Sequence, residues 1–476
     1  MQCWPYNYYE QWRENNIDSA LLHEVDPVPP ERLLQLIWLH QRLRRDGLTT
    51  TDGRAIRILH PGFWNHESGP DFKNAMIQFG NEMPQVGAVE IDLSQALWRA
   101  HGHEGNPSYR QVVLHVVWSG AISDPQRPTL ILKPLLDAPL KELATWFAGE
   151  GLPKPTAIAG QCAAPLRDLG VASLNELLKQ AGQVRLHRKG TQLQARAREA
   201  GWEQTLWEFT FAALGYKHNS WPMRRLAELT PWALAGSAHA VVLEARLLGL
   251  GNLLLREPKA ESESDYLRCL WDAWWRDADA ASASILPRES WCMAGLRPAN
   301  QPARRLALGA GWLSGGKLMT QLENWLLSPI SNSELVPSLE DVLAIPSHEF
   351  WNYHWTLRSQ RFAVAQPLLG SARTTDLAMN IFLPWLWIRA VTGHNASMRR
   401  VAEERYFSWP HGQDNSMLKL ARQRMTGQTS SKVFKTAAAQ QALLQITRDF
   451  CDHSNALCEN CRFPDMVKSW QVQFSR

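Results

Sequence analysis

The hydrophobic pattern changes partway along the chain, and this change limits the possible folds more than any other feature. In the first 135 residues, short apolar runs alternate with turns rich in Gly, Pro and Asn, which is typical of strands. From Val171 onward apolar residues recur at helical spacing, for example at Leu174, Leu177 and Leu178. These helices have no constant repeat length, so the pattern does not predict a solenoid. The length of 476 residues also favours more than one domain.

These patterns predict three regions. Residues 1–140 are expected to form an α/β (α+β) core with the order helix, three strands, helix, strand. The first helix is predicted from Pro30 to Gly47, and the strands are predicted to end at Leu59 and to cover 71–79, 86–93 and 112–118. Residues 165–445 are predicted to form a mostly helical domain that carries most of the 23 Trp residues, and 446–476 a short Cys-rich, metal-binding C-terminus.

Composition excludes several classes of function. Lys and Arg number 50 against 46 Asp and Glu, so a long polyanion-binding tail is absent. No apolar run reaches the roughly 20 residues of a membrane span, and Met1–Glu10 lacks a secretory signal pattern. We therefore expect a cytoplasmic protein without a membrane partner. The sequence has no Walker A loop, Rossmann glycine fingerprint or Gly-x-Ser-x-Gly elbow, so no nucleotide cofactor is expected.

Three carboxylates are the most informative local pattern. Glu90 and Asp92 are predicted to point to the same open face of one strand, and Asp71 begins the preceding antiparallel strand. Carboxylates that close together repel unless a divalent cation lies between them, and oxygen ligands suit Mg²⁺ or Mn²⁺. Glu67 is a candidate further ligand. Alternatively, Glu67 and Asp71 only order the Gly-Pro loop, and Glu90 and Asp92 lie on a solvated strand face.

Pro70-Asp71 and Glu90-Ile91-Asp92, within the predicted order of elements, resemble the core of the PD-(D/E)XK nuclease superfamily. The resemblance implies a restriction-endonuclease-like fold in which Asp71 and Glu90 hold the catalytic metal. Asp92 occupies the position of the family's catalytic lysine, and an anion cannot perform a lysine's role there. Lys73, His101 or His103 are candidates to supply that function from another position.

A second resemblance covers most of the chain. It is carried by His60-Pro61-Gly62, by 87–91, 98–103 and 114–117, by Arg297-Pro298 and by the final cysteines. These segments are similar to a bacterial family known as domain of unknown function 2851. The resemblance implies no assigned activity.

The cysteines predict a second metal site. Cys451, Cys458 and Cys461 have the spacing Cys-x6-Cys-x2-Cys, and the last pair can chelate one ion. Cys162 is the preferred distant fourth ligand, ahead of Cys3, Cys269 and Cys292, and His453 is a local alternative. Either Zn²⁺ or a [4Fe–4S] cluster would suit this set. The layout also looks like that of iron–sulfur nucleases in the same superfamily. The alternative is a set of reduced cysteines without a metal.

A basic run in the helical region is a candidate nucleic-acid contact. Arg185, Arg188 and Lys189 share one helical face along which a phosphate backbone could lie, although such runs are often only solvated. Together these patterns favour an Mg²⁺- or Mn²⁺-dependent nuclease. A scaffold that has lost catalysis and binds nucleic acid or a protein partner is the main alternative, and a zinc hydrolase using His101, His103 and a carboxylate is a third.

Overall fold

The computed structural model describes residue 4 and residues 6–16, 29–65, 69–120, 127–140, 143, 159–216, 219–254, 265–281, 284–293, 296–346, 348–414, 416–426, 434–451 and 461–474. The chain divides into two compact units. The sheet unit comprises residues 11–156 and 447–462, and the helical unit comprises residues 1–10, 157–446 and 463–476.

A mixed sheet forms the centre of the sheet unit. Its described strands are β1 (Ile56–His60), β2 (Phe63–Trp64), β3 (Phe72–Phe79), β4 (Gln85–Asp92), β5 (Val112–Val117) and β6 (Thr129–Ile131). The helices that precede or interrupt these strands are α1 (Tyr8–Asn16), which belongs partly to each unit, α2 (Glu31–Leu39) and α3 (Leu97–Ala100).

The strand order is β1-β3-β4-β5-β6, with β2 beside β3. β3 runs antiparallel to β1 and β4, whereas β5 runs parallel to both β4 and β6. The parallel connection from β4 to β5 contains α3. Because Phe72 pairs with Val89, the residue that precedes β3 lies beside the carboxyl end of β4.

A β-bulge interrupts β3 close to this point. Phe72 pairs with Val89 and Ala75 with Gly87, so two residues of β3 oppose one residue of β4. Within the bulge Asn74 adopts the left-handed conformation with φ 55°, which Asn tolerates better than most residues. Lys73 and Asn74 are consecutive exposed residues, so the simple alternation expected of a strand fails here.

The first helix is shorter than the sequence pattern predicts. α2 ends at Leu39 rather than near Gly47 because Gln41 turns the chain with φ 49°. The amide of Arg42 then donates to the carbonyl of Ile37, and Leu43 forms a bridge with Leu136 instead of continuing the helix.

The helical unit confirms the expectation of a mostly helical region after the sheet. Its described helices are α4 (Ala163–Asp168), α5 (Val171–Ala200), α6 (Trp202–Leu214), α7 (Ser220–Leu229), α8 (Ala240–Leu250), α9 (Asp265–Ala281), α10 (Pro302–Gly315), α11 (Leu318–Leu327), α12 (Leu335–Leu343), α13 (Ser371–Leu377), α14 (Leu383–Thr392), α15 (Ala396–Ser408), α16 (Ser416–Thr426), α17 (Ala437–Ile446) and α18 (Phe463–Phe474). None of the described helices combines the length and apolar character needed to cross a bilayer.

Tryptophan forms much of the core of the helical unit. Trp207, Trp385, Trp387 and Trp409 are fully buried. The indole N–H of Trp207 donates to the carbonyl of Thr230 at 2.9 Å, so the polar edge of this ring is satisfied inside the protein. Packing therefore accounts for these four rings.

Candidate functional site

Asp71 and Glu90 meet where β3 begins and β4 ends. The backbone amide of Asp71 donates to Oε2 of Glu90 at 3.0 Å, and the amide of Ile91 donates to Oδ2 of Asp71 at 3.1 Å. Each carboxylate is therefore held by the backbone of the other's strand. Asp71 and Glu90, which the nuclease resemblance implies are ligands of one metal, therefore lie side by side in the structure.

Two side chains from α2 complete this part of the site, and the sequence reasoning missed both. Nε2 of Gln35 donates to Oδ1 of Asp71 at 2.9 Å and to Oε1 of Glu31 at 3.0 Å. Glu31 and Gln35 are one turn apart, so they lie on the same face of the helix. A polar i, i+4 pair, Glu31 and Gln35, on a mostly apolar helix was the available signal.

Three histidines surround the other end of the carboxylate row. Nε2 of His115 on β5 forms a hydrogen bond with Oδ2 of Asp92 at 3.0 Å. Nδ1 of His101 lies 3.4 Å from Oδ1 of Asp92, and Nε2 of His103 lies 3.2 Å from Oε1 of Glu90. Gly102, with φ 70°, turns the chain between His101 and His103, so both imidazoles face the strand ends.

The sequence prediction of an open carboxylate face is wrong. Glu90 and Asp92 are only 6% and 1% exposed, because the segment after β4 folds over them. The ring of Trp98 packs edge-on against His103, and His103 stacks on Tyr109 with ring centroids 3.9 Å apart. Alternation along β4 correctly places both carboxylates on one face, but it carries no information about what covers that face.

Burial and mutual repulsion favour the protonated carboxyl groups. Burial, and then the charge of Glu31, raise the pKa of Asp71 to about 7. Burial, and then the charge of Asp71, raise the pKa of Glu90 to about 9. Burial also raises the pKa of Tyr109 to about 12, with Glu90 as the next cause. The site is therefore rich in acidic groups that lack a compensating positive charge.

Within the described part of the chain, no Lys or Arg forms an ion pair with Asp71, Glu90 or Asp92. The guanidinium of Arg127 lies over the ring of Trp98, 4.1 Å from its centroid, but it is not one of the partners of these carboxylates. Lys73 is exposed on β3 and takes no part in their hydrogen bonds. Glu67, the predicted further ligand, lies outside the described residues.

Asp92, His101 and His103 satisfy a simple geometric condition for a metal site. Each offers one ligand atom, and these three atoms all lie within 4.8 Å of one another. Asp92 and His103 are buried, whereas the His101 side chain is 44% exposed and reaches solvent.

The predicted cysteine site falls largely outside the described region. Cys458 and the side chain of Cys451 are not described, and neither is the alternative ligand His453. Cys162 is buried directly before α4, and Cys461 is half-buried two residues before α18. The Zn²⁺ or [4Fe–4S] site therefore stays a prediction.

The predicted basic face is a packing surface in the structure. Arg188 on α5 is buried, and Nε of Arg185 donates to Gln441 on α17 at 2.9 Å. Lys189 is half-buried, and its charge acts on Asp376. A phosphate backbone along this face is thus not supported, because α5 is packed against α6, α14 and α17.

A family model described as "Protein of unknown function (DUF2851)" matches residues 31–411. This span includes Glu31 of α2, all the described strands and most of the helical unit. No curated protein and no solved structure matches the chain.

Proposed function

This chain belongs to the DUF2851 family, and we propose that it is a metal-dependent hydrolase of phosphodiester bonds in nucleic acid, with Asp71 and Glu90 as its metal-binding pair. The observation that carries the proposal is the meeting of these two buried carboxylates, held by reciprocal backbone hydrogen bonds and without an ion pair to any described Lys or Arg. Such a site is stable with both groups ionised only if a cation supplies the missing charge.

The donor set fits Mg²⁺ or Mn²⁺. Carboxylate oxygens of Asp71 and Glu90, with Glu31 nearby on α2, are the hard ligands that these ions prefer. A divalent ion bound there would activate water and stabilise negative charge on a phosphodiester. Gln35 holds Asp71 in position through its amide and thereby orients one of the proposed ligands.

The order of elements also supports the proposal. Helix α2, four antiparallel strands of which β2 has only two residues, the short helix α3 and the parallel strand β5 follow one another, which is the predicted order with β2 added. Asp92 stands in the lysine position and is held by His115.

A separate structural group at Cys162, Cys451, Cys458 and Cys461 is part of this proposal. Thiolates at the Cys-x6-Cys-x2-Cys spacing, with a fourth ligand, would hold Zn²⁺ or a [4Fe–4S] cluster. Protein purified without oxygen, and assayed for zinc, iron and sulfide, tests this part separately.

Cleavage of labelled single- and double-stranded DNA and RNA tests the proposed function. We expect Mg²⁺- or Mn²⁺-dependent cutting by the natural protein, reduced roughly 100-fold or more in Asp71→Asn and Glu90→Gln, since even groups that only orient metal ligands contribute up to about that factor. Glu82→Gln, an exposed carboxylate of the same unit, is the matched control and should cut normally.

Folded natural protein that cuts none of these substrates with either ion would overturn the hydrolase proposal. Retained binding in a gel-shift assay would then favour the second candidate, a nucleic-acid-binding scaffold. The observation that favours this candidate is Asp92, a buried acid in the position where the nuclease family has its lysine.

A further inference from the structure

Two imidazoles approach the carboxylates of the sheet without forming hydrogen bonds to them. His115 makes a regular hydrogen bond with Asp92, but the contacts of His101 with Asp92 and of His103 with Glu90 lack hydrogen-bond geometry. His103 is 8% exposed, and its buried Nε2 has no hydrogen-bond partner. A buried ring nitrogen without a partner is costly, so its position requires an explanation.

Asp92 and His101 have the spacing of two ligands on one metal ion, and His103 lies close to them. Two ligands on a tetrahedral ion with bonds of about 2.0 Å are separated by about 3.3 Å. Oδ1 of Asp92 and Nδ1 of His101 are 3.4 Å apart, and one ligand atom from each of Asp92, His101 and His103 lies within 4.8 Å of the other two. A small adjustment of the imidazoles would complete the coordination of one ion.

Neighbouring groups orient these ligands in the way metal sites require. His115 binds Oδ2 of Asp92 and leaves Oδ1 directed at His101. Tyr109 stacks on the ring of His103 and fixes its plane. Such outer partners are typical of metal-binding carboxylates and histidines. The exposed edge of His101 gives an ion a path from solvent.

We propose that Asp92, His101 and His103 form a binding site for a divalent first-row transition-metal ion of the Zn²⁺ class, next to the Mg²⁺ or Mn²⁺ site proposed at Asp71 and Glu90, since Nε2 of His103 lies 3.2 Å from Oε1 of Glu90. Two imidazole nitrogens and one carboxylate oxygen favour Zn²⁺, Co²⁺ or Fe²⁺ over Mg²⁺, which prefers oxygen ligands and keeps its water. Three protein ligands leave a position for water or substrate. The site does not depend on nucleic-acid cleavage.

Cobalt is the probe for this site, because Co²⁺ replaces Zn²⁺ and its visible absorption reports its ligands. Full-length protein, stripped of metal with a chelator and dialysed, is titrated with Co²⁺ in the presence of excess Mg²⁺. Beyond any cobalt that binds the cysteines, we expect visible bands without thiolate absorption that grow to one further equivalent, disappear on addition of Zn²⁺ and persist in the presence of Mg²⁺. Bands from cobalt bound to the cysteines are separated by their strong thiolate absorption in the near ultraviolet.

The variants decide between the sites. His101→Ala changes a half-exposed side chain, so it should leave the fold intact while weakening Co²⁺ binding at least about 10-fold. Asp92→Asn and His103→Ala should weaken Co²⁺ binding by a similar factor. His40→Ala, an exposed histidine at the end of α2, is the matched control. Asp71→Asn should retain the cobalt bands even if it abolishes cleavage, so the two proposals fail separately.

Three results would overturn the inference. They are absence of the bands in the natural protein, their persistence in folded His101→Ala, and their loss in folded Asp71→Asn.

Discussion

Burial of a carboxyl group favours its protonated form, and at Asp71 and Glu90 neighbouring acidic groups add to this effect. The hydrogen bonds that Asp71 accepts from Gln35 and Ile91 act in the opposite direction but are too weak to restore its usual pKa. The two residues therefore bind more protons in the folded protein than in the unfolded chain at neutral pH. A bound divalent cation would reverse this balance, since it favours the ionised groups.

This balance predicts a pH dependence of stability in the absence of metal. The folded-state pKa values of about 7 and about 9 lie above the ordinary values of 3.8 and 4.5. The contribution of both groups to stability is therefore complete below about pH 4, is lost progressively as pH rises from about 4 through the folded-state values of about 7 and about 9, and changes no further above them. With a chelator present, the urea midpoint of the natural protein should fall over this range relative to those of Asp71→Asn and Glu90→Gln.

The exposed-site variant Glu82→Gln should follow the natural protein in this experiment. Parallel pH profiles for the natural protein and the two buried-site variants would show that Asp71 and Glu90 titrate at ordinary values, and would contradict this description of the site.

Among the elements, β3 and the segment after β4 do most to form the site. The bulge in β3 lies three residues after Asp71, where β3 must keep its pairing with both β2 and β4. Alternation of apolar residues was sufficient to predict strands at 56–60, 72–79 and 85–92 to within a residue or two. It could not predict the bulge, because the local sequence does not show that Asn74 is left-handed. This conformation depends on how the residues on either side of Asn74 pair with β4.

The bulge predicts different costs for two substitutions at Asn74. Asn74→Val places a β-branched residue at φ 55° and should lower the free energy of unfolding by about 1–3 kcal/mol. Asn74→Gly accepts this conformation and should stay within about 1 kcal/mol of the natural protein. Urea unfolding of both variants measures the difference. Equal stability of the Val and Gly variants would mean that residue 74 does not hold the left-handed conformation.

Across the whole molecule, the sequence predicted the type of each region better than the surroundings of its polar groups. Helical periodicity correctly indicated α5, but the contacts of its basic face depend on helices hundreds of residues away in the chain, as where Arg185 donates to Gln441 of α17. In the same way, the contribution of Gln35 to the site depends on the contact of α2 with the start of β3. Both outcomes are set by packing between remote segments, which a local pattern does not encode.

The central claim is that the sheet unit holds a catalytic cation between Asp71 and Glu90. Crystals grown with Mn²⁺, with anomalous diffraction recorded at the manganese edge, test it most directly. We predict an anomalous peak bonded to carboxylate oxygens of both residues, absent in crystals of Asp71→Asn. A well-ordered site without such a peak, with Asp71 and Glu90 still bound to each other's backbone amides alone, would contradict the account.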